Sequence, residues 1–262
     1  MILLKHAHEP SHAATGQAPS HQPAGRGRES ARDAGGYRLF ADGALGAAHV
    51  RAHAALDAGD VERGHRELGA WLASRAGEGS RWAHLHFHMA LFELALGNWH
   101  DAHRRFRRKI LPAAAAATDV LTDAPALLWR LALTAPHPVA LPWTTLRRTA
   151  LTALSRCEDC FVELHHLLAL AGAGDLAGVT RWLDTRSAAE RSPAGQLVIE
   201  TVLALRALLL GHYREAAASL EALSPRLAIV GGSRAQREVF DQIARWCLER
   251  AAGAGLRPVL AA

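Results

Sequence analysis

Four glycines punctuate this chain in the same way. Gly59, Gly97, Gly174 and Gly211 are each followed at once by a polar residue. Five places after each glycine stands a small or apolar residue: Gly64, Ala102, Val179 and Ala216. Four places further on stands a large one: Leu68, Phe106, Leu183 and Leu220. The glycines are 38, 77 and 37 residues apart, so the middle interval holds about two units. A glycine of this kind closes one helix in the left-handed conformation. The small residue then lets the next helix approach antiparallel, and the large one fills the groove between them. One such hairpin cannot bury its apolar stripe alone, whereas stacked hairpins can. The pattern predicts an all-α fold, an α-solenoid of helical hairpins over residues 37–255.

The fullest copy runs from His88 to Phe106, HMALFELALGNWHDAHRRF, with Pro112 beyond it. Ala90, Gly97, Trp99, Ala102 and Phe106 stand at the relative spacings of a tetratricopeptide repeat, which the segment resembles. Lys109 occupies a position where that repeat carries a small residue, and Pro112 comes early, so the copy is degenerate. The resemblance implies a right-handed superhelix. Pro136, Pro138 and Pro142 predict a loop near 135–142 between two halves. In VGGSRAQREVFDQIARW, Gly231 and Gly232 are expected to end one helix. Ser233 and Gln236 are expected to open the next as an S-x-x-Q capping box. Arg237 and Asp241, four apart, are expected to pair on that helix.

Composition narrows the function classes. Half of the 262 residues are hydrophobic but only 6% are aromatic, and Ala, Leu and Arg dominate, which favours helix over sheet. A net charge of +5 without a recognition motif or aromatic-basic platform disfavours nucleic acid. No apolar stretch is long enough for a membrane span, so a soluble, cytoplasmic protein is expected. Cys157, Cys160 and Cys247 are too few for a disulfide scaffold, and the lone C-x-x-C is read as small residues at a helix entry. Residues 1–36, rich in Gly, Ala, Ser, Pro and His, are expected to be a disordered leader, and 256–262 a tail. Metal contacts from His6, His8, His12 and His21 in such a leader would be weak. H-E-x-x-H, G-x-S-x-G, P-loop and dinucleotide-binding signatures are missing.

The polar residues on the helices are the candidate functional set. His49 and His53 are four apart, as are His84 and His88, so each pair stacks on one helix face. Their helices are the first members of consecutive hairpins and should lie side by side, bringing four imidazoles together. His165 belongs to a third such helix, near Glu163. Three or four imidazoles suit a divalent metal. The same spacing equally suits histidines that bridge helices by hydrogen bonds, or that line a polar ligand groove. Arg237 at a helix start suits an anion.

The blocks HVRAH, HFHMALFELALGNW, DAPALLWRL, ELHHLLALAGAGD and PRLAIVGGSRAQREVFDQI together resemble the tetratricopeptide-repeat protein 38 family, over roughly residues 44–250. Members carry a GGS-x-AQRD-x-F signature, here with Glu238 for the Asp, and an upstream Arg, here Arg226. Leu56 replaces a Glu that often follows the second histidine of the first helix. The resemblance singles out His49, His53, His84, His88, Asp123, Arg130, His165, Arg226, Ser233, Gln236, Arg237 and Asp241. It also implies a shortened member, because family chains carry a further N-terminal helical region; a homodimer would cover the end this leaves exposed. The leading expectation is a non-enzymatic module with a His/Arg-rich concave groove, needing no cofactor. The groove would take a protein or peptide partner, or a small polar or anionic ligand clamped by Arg130 and Arg237. The rival is an enzyme or metalloprotein using the clustered His, Asp and Arg residues, and it requires the histidines to converge.

Overall fold

The computed structural model describes residues 43–116, 122–186 and 192–253. The expected leader and the 256–262 tail lie outside them. All regular structure among the described residues is helical. The helices are α1 (Gly43–Ala58), α2 (Val61–Ala73), α3 (Ser80–Ala95), α4 (Trp99–Arg105), α5 (Leu111–Ala116) and α6 (Asp123–Thr134). There follow α7 (Trp143–Leu154), α8 (Cys160–Gly172), α9 (Leu176–Arg186), α10 (Pro193–Leu209), α11 (Tyr213–Leu223) and α12 (Arg234–Ala251). The proline-rich segment 135–142 joins α6 to α7 without regular structure. No described helix is long and apolar enough to cross a membrane.

The glycine marks do what their chemistry predicts. Gly59, Gly97, Gly174 and Gly211 all have positive φ, between 69° and 80°. After each, the next N–H reaches back five residues, from Asp60 to Ala55, Asn98 to Glu93, Asp175 to Leu170 and His212 to Ala207, at 2.8–3.0 Å. These bonds satisfy carbonyls that the helix end would orphan. The partner positions are buried: Ala102, Phe106, Val179 and Ala216 have no exposed surface, and Leu68, Leu183 and Leu220 almost none. Gly64 is small for a reason. A Cβ there would stand 2.2 Å from the Phe92 ring and 3.0 Å from the Ala55 methyl.

Two kinds of helix result. On α3, every residue from Ala83 to Glu93 is buried, and α8 and α10 are nearly as enclosed. By contrast α2 buries only Gly64 and Leu68, and α9 only Gly178, Val179 and Leu183. Helices apolar on all sides form the interior, and amphipathic ones cover it. In the inner row α1 packs on α3, α3 on α6, α6 on α8, and α8 on α10. The last helix, α12, packs on α11 and on the inner helices α6 and α1.

The irregular repeat around Lys109 has a structural answer. Ala102, Phe106, Ile110 and Ala114 are fully buried and recur every four residues. A stripe of that period drifts around a helix of 3.6 residues per turn. A π-helical turn at Phe106–Ile110, wider than an α turn, takes up the drift. Lys109 is thereby turned to solvent and Ile110 takes the interior place.

Candidate metal centre

The facing turns of α1 and α3 bring His49, His53, His84 and His88 into one cluster. One ring nitrogen from each lies within 4.8 Å of all the others. The Nε2 atoms of His49 and His84 are 3.0 Å apart, as are those of His53 and His49 and those of His88 and His84. His49, His84 and His88 are buried, and His53 stands half-buried at the rim. Because α1 packs directly on α3, the two i,i+4 pairs meet as the sequence predicts.

Asp123, the first residue of α6, orients the cluster. Its Oδ2 lies 2.6 Å from His84 Nδ1, and its Oδ1 accepts from Gln236 Nε2 at 2.9 Å. A carboxylate accepts, which assigns the proton to Nδ1 and turns the Nε2 lone pair toward the other rings. Gln236 is fixed in turn by the start of α12. Its Oε1 accepts from the Ser233 N–H at 2.9 Å, and Ser233 Oγ accepts from the Gln236 N–H, the expected capping box. Before it, Gly232 has positive φ and lies against Phe161 of α8, whose ring would be 2.1 Å from a Cβ at that position.

Two of the four rings, His49 and His88, are held neutral by burial. Burial, then the neighbouring His84 and His53, push His49 down to about 3. Burial, then His84, His53 and His49, hold His88 well below its ordinary value. An imidazole nitrogen offers one in-plane site, as donor or as acceptor. His84 Nε2 has two ring nitrogens at 3.0 Å, and so does His49 Nε2, so one hydrogen bond along that axis cannot serve both neighbours. Around a tetrahedral ion with metal–nitrogen bonds of 2.0–2.1 Å, neighbouring ligands stand roughly 3.3–3.4 Å apart. Three of the contacts here fall a few tenths of an ångström short of that.

The remaining candidates separate from this centre. Arg130 is buried; it donates to the Ala126 carbonyl at 3.1 Å and to the Ala235 carbonyl. Burial brings its guanidinium down to about 10, so it stays charged at neutral pH. His165 is fully buried, with Nδ1 2.8 Å from the Phe161 carbonyl, and it does not join the four rings. Glu163 bonds Trp182 and Arg186 instead of His165. Arg226 is exposed and pairs with Glu200 at 2.9 Å. The expected Arg237–Asp241 pair does not form. Arg237 turns back to the carbonyls of Gly231 and Gly232, because the two left-handed glycines aim those oxygens at it.

Two polar groups escaped the sequence reading. Arg105 of α4 grips Glu93 of α3 with bonds of 2.9 and 2.6 Å and touches His86 Nδ1 at 2.9 Å. The visible signal was a lone Glu93 in the apolar run FELALG. The other is a cleft of about 290 Å³, lined by Leu56, Asp57, Leu91, Leu94, Arg130 and Glu238 among others. Its walls continue the histidine faces: Leu56 follows His53, and Leu91 follows His88, by three residues each.

No family model matches this chain, and no solved structure matches it.

Proposed function

We propose that this protein is a helical-repeat metalloprotein that holds one divalent transition-metal ion on His49, His53, His84 and His88. The observation that carries the reading is the convergence of four ring nitrogens within 4.8 Å of one another. Metal ligation requires the neutral imidazole, and burial keeps His49 and His88 in that form. The Asp123 carboxylate behind His84 is the outer partner that fixes a ligating ring's tautomer. An all-nitrogen set suits Zn, Cu, Ni or Co rather than Mg or Ca. His53, at the rim, is the ligand best placed to exchange for water or a bound molecule.

The scaffold is, on this reading, an α-solenoid of degenerate tetratricopeptide-type hairpins, in keeping with the resemblance to the tetratricopeptide-repeat protein 38 family. The four left-handed glycines and the buried small-then-large pairs that follow them support it. The groove-binding alternative, a protein or peptide partner on the inner face, loses support where α12 of the same chain packs on α6 and α1.

The test uses the full chain, stripped with chelator and titrated with Co(II). Intense visible bands at one equivalent, lost in His49→Ala/His88→Ala while helical circular dichroism persists, are expected. Using the difference between the two proteins removes any contribution from other histidines. Equal cobalt binding by both proteins, or none by the wild type, would sink the proposal.

A further inference from the structure

We propose that the cleft between α1, α3, α6 and α12 binds a small monocarboxylate with an apolar body, its carboxylate seated on Arg130. This site is separate from the four histidines and stands whether or not they hold a metal.

Arg130 is 4% exposed yet lines the cleft, so the little surface it shows is turned inward. Among the described residues no carboxylate comes within salt-bridge distance of it, although Glu238 and Asp123 lie close enough to favour its charged form, and its hydrogen bonds go to the backbone carbonyls of Ala126 and Ala235. Those two carboxylates offset only part of the cost of burying the cation, whose pKa still falls, and an anion in direct contact offsets more. The carbonyls use one N–H from each terminal nitrogen, Nη1 and Nη2. Each terminal nitrogen carries a second N–H that is left to donate to a carboxylate oxygen. The two carbonyls also hold the guanidinium in place, so little freedom is lost on binding.

The remaining walls define the rest of the ligand. Leu56, Val61, Leu91, Leu94 and Ala95 give the cleft an apolar side. A volume of about 290 Å³ has room for on the order of ten waters, enough for a short acyl or aryl chain. Asp57 and Glu238 also line the cleft, and Arg234 pairs with Glu238 at 2.8 Å. Two carboxylates facing the same space repel a second negative charge. The combination selects one carboxylate on an uncharged body and disfavours phosphate and dicarboxylates.

Hexanoate is the probe. Saturation-transfer NMR and calorimetry are run on the full chain, once metal-free and once after cobalt addition, with succinate and inorganic phosphate as competitors. Saturable hexanoate binding, untouched by either competitor, is expected in both preparations. Arg130→Met should weaken it roughly 10-fold or more, the loss of a charge-assisted bond. Leu94→Trp, which fills the cleft with an indole, should abolish binding with the fold intact. It decides the matter if Arg130→Met fails to fold. No hexanoate binding, equal binding in Leu94→Trp, or displacement by phosphate overturns the proposal. Failure of cobalt to bind while hexanoate binds sinks the metal reading alone.

Discussion

Helices α3 and α8 are alike in sequence and different in what they present. Both are inner helices, buried nearly throughout, and both carry histidines within a run of Leu and Ala. On α3 the histidines at 84 and 88 are four apart and meet the equally spaced pair of α1. On α8, His165 and His166 are adjacent, so about 100° of helical turn separates them and they face different neighbours. The nearest acid on α8, Glu163, is claimed by Trp182 and Arg186 of α9, whereas Asp123 faces His84. Matched spacing on adjoining helices, with an acid left over for orientation, makes a cluster. Richness in histidine does not.

The largest expected effect separates the two helices outright. His49→Ala/His88→Ala should lose its full equivalent of cobalt, while His165→Ala/His166→Ala keeps it and loses only stability. Equal loss in both would erase the distinction. Next comes orientation. Asp123→Asn should weaken cobalt binding roughly 10- to 100-fold, as removal of an outer partner does, and an unchanged titration would show that Asp123 only braces α6.

The pH response should distinguish α8 on its own terms. Burial brings His165 down to about 4, from an ordinary 6.5. Between those values the unfolded chain takes up a proton that the folded one refuses. The stability this residue contributes is therefore complete above pH 6.5 and lost as pH falls toward 4. Integrated over that window the loss is about 3 kcal/mol. Urea titrations at pH 7 and pH 4 should show a smaller drop for His165→Phe than for wild type. Parallel drops would contradict the assignment. The smallest effect belongs to the cap. Gln236→Leu should cost about 1 kcal/mol in the same titrations, with weaker cobalt binding than wild type but stronger than Asp123→Asn.

Much of this was legible in the chain because it is local. The left-handed glycines, the pairs at fixed offsets after them, and the Ser233–Gln236 box each involve residues within a few positions of one another. The meeting of His49 and His53 with His84 and His88 needed one further inference, that consecutive hairpins set their first helices side by side. Longer links were hidden. Nothing in the spacing shows that Gln236 reaches Asp123, 113 positions away, or that α12 lies against α6 and α1. The i,i+4 spacing of Arg237 and Asp241 carries no sign of the carbonyls that Gly231 and Gly232 present, and those carbonyls take Arg237 instead. The π turn at Phe106–Ile110 was concealed in a stripe that looks merely irregular on paper.

The bond from Gln236 to Asp123 also has a meaning in time. Chains emerge from the ribosome N-terminus first, at about 5–20 residues per second. Every imidazole of the cluster, and Asp123 with them, is therefore synthesised before the residue that steadies the carboxylate. A nascent chain with four helices out has the donors but not the final brace. The arrangement makes the fully oriented centre a property of the finished polypeptide, so that a message broken before α12 yields a product whose histidines are present and poorly aimed.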